Sequence, residues 1–149
     1  MFTTSCFIRK NTLELRNKLL KIGHTLCRCT EFEDADWLSV SNNNDLYRSV
    51  HGLGYTDETI NMSKEDLFNN FLSNTNHIDC GTNEELFLAI AALRDDTDKN
   101  QWFTSTNDYW YKCLDNKFSK KTANWVSCAS ADKWHKATVE EITEHFKYR

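Results

Sequence analysis

The 149-residue chain contains no proline and only four glycines. Without proline there is no polyproline segment, no cis-prolyl turn and no proline-stiffened linker. With glycine only at Gly23, Gly52, Gly54 and Gly81, neither G-x-G-x-x-G nor G-x-x-x-x-G-K occurs. Phosphate loops that depend on close backbone approach are therefore excluded. No apolar run approaches the length of a membrane span, so no membrane partner is expected. Residues 1–10 lack a charged head followed by a long apolar stretch, so no secretory leader is expected. No Ser–His–Asp order and no paired-carboxylate pattern stands out, so no catalytic residue is assigned and no cofactor is expected.

What is present points to a folded globule. Hydrophobic residues make up 40% of the chain and aromatics 13%, which is enough for one domain over residues 1–149 with a real core. The six cysteines (Cys6, Cys27, Cys29, Cys80, Cys113 and Cys128) form no small-scaffold framework. Several fall in predicted strands, where a thiol behaves as a small hydrophobe, so reduced thiols and a cytoplasmic setting are expected. The net charge of −4 divides unevenly, with +5 over residues 1–29, −11 over 30–100 and +2 over 101–149. Electrostatic arguments must therefore be local.

The densest apolar stretch runs from His77 to Phe103. It reads as a short buried strand, a sharp turn at Gly81, a helix over 82–93, an acidic turn and an aromatic strand. Thr82 and Glu85 have capping-box spacing, and Leu86, Ile90 and Leu93 share a face that Phe87 and Leu88 widen. Before this stretch, Thr3–Arg9 reads as a strand. Asn11 caps a helix carrying Leu15, Leu19 and Ile22, and Gly23 stops it. Thr25–Cys29 suggests a strand and Glu31–Asp36 a loop. Trp37–Val40 and Leu46–Val50 read as a hairpin around an asparagine-rich turn, Gly52 and Gly54 bracket a further turn, and Ser63 opens another helix. Downstream, Gln101–Thr104 and Tyr109–Leu114 form an aromatic hairpin. Asn124–Cys128 and Trp134–Ala137 read as short strands. Thr138 and Glu141 cap a last helix with Ile142 and Phe146 inward. Asn11, Ser63, Thr82 and Thr138 each precede an acid at +3 and apolar residues at +4 and +8, the pattern of an internal strand–helix repeat or of four ordinary amphipathic helices. The expected fold is α+β, with antiparallel hairpins packed against three or four capped helices.

Three stretches, CFIRKNTLELRNKLLKIG (6–23), IDCGTNEELFLAIAALRDDTDKNQWF (78–103) and KATVEEITEHFK (136–147), resemble small proteins encoded by gut Bacteroidetes and their phages. That resemblance brings no activity with it and assigns no residue a role. It implies a context: an accessory protein of a phage or mobile element inside a bacterial host cell.

Four constellations have chemistry in reach. Asp96-x-Asp98-x-Asn100 has the oxygen spacing that opens a calcium loop, but Gln101 stands where glycine is needed and Asn107 where a bidentate glutamate is needed. Asp95, Asp96 and Asp98 also sit at a helix C-terminus, against its dipole. His24, Cys27 and Cys29 are close enough to hold zinc, yet they equally suit core packing, and no metal is assigned. Cys80 beside a helix start would be an activated thiol or a buried structural one. Finally, Trp110, Lys112, Lys120, Lys121, Trp125, Lys133, Trp134 and Lys136 interleave flat rings with cations, as single-stranded nucleic-acid surfaces do. The same residues would also serve as core tryptophans and solvated lysines.

The expected function is non-enzymatic. It is an accessory protein that binds or blocks a host macromolecule, with a host protein as partner, through the acids Glu31, Glu33, Asp34, Asp36, Asp95, Asp96 and Asp98. The alternative is a nucleic-acid-binding module built on the 110–136 stretch. A small enzyme ranks third.

Overall fold

The hydrophobic triplet Cys6-Phe7-Ile8 forms β1 (Cys6–Ile8), in a computed structural model that describes residues 2–24, 37–40 and 77–147. All three residues are buried, and a strand buried on both faces belongs in the middle of its sheet. β2 (Leu38–Val40) flanks it antiparallel, with Cys6 opposite Val40. β3 (Ile78–Asp79) flanks it parallel, with Cys6 opposite Ile78. Among the described residues β3 pairs with β1 alone and lies at the margin of its sheet rather than being the buried strand expected. Ile78 is half-buried and Asp79 exposed, with the Asp79 carboxylate accepting from Gly81 N–H at 2.8 Å and pairing with Arg9 at 3.3 Å. Gly81 turns the chain at φ 59°, a left-handed conformation that costs glycine little.

α1 (Leu13–Ile22) begins one residue later than the asparagine reading. The hydroxyl of Thr12, not the side chain of Asn11, accepts the Leu15 N–H at 3.1 Å. Leu15 and Leu19 are buried, and Gly23 ends the helix at φ 116°. α2 (Glu84–Ala91) is likewise capped by Asn83 rather than Thr82. The amide explains the choice, because it has two ends. Its Oδ1 accepts the Leu86 N–H at 3.0 Å, while its Nδ2 donates to Phe146 O at 2.6 Å, so one side chain caps the helix and ties it to Phe146. Leu86, Phe87, Ala89, Ile90 and Ala91 are buried, so the central helix lies where its greasy circumference requires.

The second sheet has the order β5–β4–β6, from β4 (Trp102–Ser105), β5 (Trp110–Lys112) and β6 (Trp134–Lys136), all antiparallel. Strand alternation splits its side chains. Trp102, Trp110, Lys112 and His135 lie on one face, and Phe103, Tyr111, Trp134 and Lys136 on the other. The first face meets α4 (Val139–Phe146), where Trp110 stacks on His145 at 3.9 Å and Trp102 meets Phe146 edge-on at 5.3 Å. The second face carries α3 (Lys120–Ser127), whose only buried residue is Ala123. The predicted strand over Asn124–Cys128 is therefore a helix. Ser119 caps it, and Trp125 and Val126, whose strand preference depends on a half-buried pleat, have no sheet to join. Thr138 and Glu141 form the expected capping box, with Ile142 and Phe146 buried.

α2 packs against β1, α1 and α4, so the fold is α+β with one main core running from the first sheet through α2 to α4. The units β1–α1 and β3–α2 lie side by side with parallel strands, and the second is one residue shorter from strand start to helix start. No helix among the described residues is long and apolar enough to cross a membrane. The predicted strand over Thr25–Cys29, the loop over Glu31–Asp36, the Leu46–Val50 arm of the hairpin, the turn at Gly52 and Gly54 and the helix after Ser63 lie outside the described residues.

Candidate functional site

The acidic turn after α2 is internally engaged. Asp96 receives both Nε and a terminal nitrogen of Arg94, at 2.8 and 2.7 Å, a fork that holds its carboxyl well below the usual carboxylate range. Asp98 accepts the Phe118 backbone N–H at 2.9 Å and pairs with Lys136 at 3.3 Å, and these contacts lower its pKa as well. Lys136 also donates to Thr97 O at 3.0 Å and Arg94 O at 3.4 Å. A cation thus sits in the calcium-like loop, and among the described residues no group of three metal-ligating side chains is gathered. Asp95 is exposed beside this network. Glu31, Glu33, Asp34 and Asp36 lie outside the described residues.

The end of α2 gives His24 and Gln101 a structural role. The helix has no C-terminal glycine, and its last residues stay right-handed. Two distant side chains take its free carbonyls instead. His24 Nε2 lies 2.8 Å from Ala91 O, and Gln101 Nε2 donates to Ala92 O at 2.7 Å. Gln101 Oε1 in turn accepts the Arg94 N–H at 3.0 Å. Burial pushes the His24 pKa down against the raising effect of the Ala91 bond, so the ring is a neutral donor. It stacks on Phe2 at 4.0 Å, which makes it a core histidine. Its proposed zinc partners Cys27 and Cys29 lie outside the described residues.

Cys6, Cys80, Cys113 and Cys128 are free thiols. Cys80 is buried in the core beside Cys6, whose own pKa burial raises well above the ordinary thiol value.

The aromatic–basic stretch separates into two groups. Trp134 is structural: its indole N–H donates to Asn124 Oδ1 at 2.9 Å and its ring packs near Phe118 and Tyr111. Trp110 is committed to His145, and Lys136 to the acidic turn. The remainder collects around α3. Trp125 is 84% exposed and Val126 60%. Lys121 stands one helical turn before Trp125, and both border an open hollow of about 560 Å³ with Asn124, Cys128 and Ser130. Lys120 donates to Asp132 O at 2.8 Å, which brings Lys133 beside the start of the helix. Cys128 closes α3 at φ 53°, a left-handed position where glycine is the usual residue.

A second hollow, of about 460 Å³, lies between α1, α2, α4 and the β4–β5 hairpin. Leu88, Trp102 and Phe146 line it, with Lys18, Lys21 and Lys112 among its polar groups. Lys112 therefore belongs here, on the opposite side of the sheet from α3.

Comparison of the chain with known protein families, characterised proteins and solved structures finds no match.

Proposed function

We propose that this protein is a non-enzymatic accessory factor of a phage or mobile element that binds single-stranded nucleic acid through the outer face of α3. The observation that carries this reading is Trp125: a large flat ring, 84% exposed, one turn from Lys121. Burying such a ring is worth a few kcal/mol, so leaving it in water favours a partner that covers it. A base supplies the complementary flat face, and Lys120, Lys121 and Lys133 supply charge for the backbone. The acidic reading is weaker on this geometry, because Asp96 and Asp98 direct their charge at Arg94 and Lys136.

Anisotropy of a labelled oligothymidylate tests the proposal. Trp125→Ala should weaken binding by about 1–3 kcal/mol, roughly fivefold to a hundredfold. Replacing Lys120, Lys121 and Lys133 with alanine should flatten the salt dependence by about 0.7 log units per lysine engaged. No binding at low salt, or an unchanged affinity for the Trp125 variant, would overturn it.

A further inference from the structure

We propose that the hollow between α1, α2, α4 and the β4–β5 hairpin is a binding site for a small amphipathic anion: an aliphatic or aromatic body carrying one carboxylate head. This site is separate from the α3 face and does not depend on it.

The volume, about 460 Å³, is in the range of small-molecule sites. Its origin lies in how α1 is used. Leu15 and Leu19 enter the core, which leaves the adjacent stripe of Lys18, Lys21 and Ile22 lining the hollow. Across from it, strand pairing sets Trp102 beside Lys112 on one sheet face. Leu88 and Phe146 complete an apolar lining to which the indole of Trp102 adds a large flat surface.

The charge on this lining has one dominant sign. Lys18, Lys21 and Lys112 face a single acid, Glu85. Lys18 shares its charge with Glu14 at 3.3 Å, an exposed pair of little strength. Lys21 and Lys112 make no ion pair among the described residues. Asn100, held at φ 65° in the same lining, adds an amide. A more polar hollow of about 440 Å³ shares Lys21, Ile22, Ala92 and Asn100 and extends the groove toward Lys99. Apolar lining with uncompensated lysines selects a ligand that is greasy along its body and negative at one end. A neutral hydrocarbon would forgo the lysines, and an inorganic anion would forgo the apolar surface.

The test is a titration of the ¹⁵N-labelled full chain with decanoate and, separately, with decanol, following the Trp102 indole N–H resonance, assigned with Trp102→Phe. Decanoate should shift that resonance saturably, and decanol should bind at least about tenfold more weakly, the worth of about 1.4 kcal/mol of head-group attraction. A Lys21→Ala/Lys112→Ala double variant should lose decanoate affinity by a similar factor with its circular dichroism unchanged. Trp125→Ala should bind decanoate as the parent does. A Trp102 signal that stays still up to about 1 mM decanoate would overturn the proposal, since it would leave no affinity better than about −4 kcal/mol. Decanol binding as tightly as decanoate, or a folded double variant with undiminished affinity, would do the same. If the double variant fails to fold, the decanoate–decanol comparison on the parent protein decides alone.

Discussion

Among the described residues the two sheets have three strands each, and they differ in what they bury. The first is covered mainly by aliphatic side chains and thiols, with Ile8, Leu15, Leu19, Leu38, Val40 and Ile90 fully enclosed around the ring of Phe87. On its α3 side the second holds, among the described residues, a small cluster, Phe103, Tyr111, Cys113 and Ala123, roofed by the half-buried rings of Phe118 and Trp134. Aliphatic side chains fill space and are lost once exposed, whereas aromatic rings and lysine stems work half in water. The first region therefore makes the fold, and the second presents surface. Both candidate binding features, the Trp125 face and the Trp102 cleft, draw on the second sheet or its helix.

That contrast breaks or sharpens under mutation. The largest effect should come from Phe87→Ala, about 3–5 kcal/mol lost in urea unfolding, against about 1–2 kcal/mol for the half-buried Phe118. Equal losses would show that the two regions share the core evenly. Next is Gln101→Ala, which strands the Ala92 carbonyl and the Arg94 N–H where α2 meets the second sheet. A loss of about 2–3 kcal/mol is expected, and one below about 0.5 kcal/mol would mean that water replaces the amide without penalty.

A smaller, pH-dependent effect should follow from His24. Burial lowers its folded pKa from 6.5, and that of His77 shifts in the same direction for the same reason. The unfolded chain therefore binds more protons just below pH 6.5, and stability should fall as the pH drops through that value. Asp96, Asp98 and Glu141, all lowered, contribute losses as the pH falls through the ordinary carboxyl values of 3.8 and 4.5. His24→Gln retains a donor for Ala91 O and should reduce the slope of unfolding midpoint between pH 7 and 5. An unchanged slope would remove His24 as its source. The smallest effect should be Cys128→Gly, which relieves the left-handed position after α3 and should stabilise by about 0.5 kcal/mol in urea unfolding.

Much of the architecture was legible in the chain. The helix carrying Leu86 and Ile90, the stop at Gly23, the turn at Gly81, the aromatic hairpin and the Thr138 box are each signalled within a few residues. The caps at Thr12 and Asn83 were missed by one position. Adjacent residues there both have capping side chains, and at Asn83 a bond to Phe146, far along the chain, separates them. α3 departs from the strand expected at Asn124–Cys128 because Trp125 and Val126 favour strands only where a sheet receives them. Of the candidate site, the residues were visible as a mixture. Nothing local marks Trp134 as packed, Lys136 as engaged by Asp98 or Trp125 as bare.

The order of apolar and polar residues by itself determined an α+β chain with a greasy central helix, because periodicity and caps act over one or two turns. Only tertiary structure decided which rings and charges remain available. Exposure and pairing depend on what other elements bring against a side chain: α4 reaches Trp110, Lys136 reaches Asp98, and no described element covers Trp125.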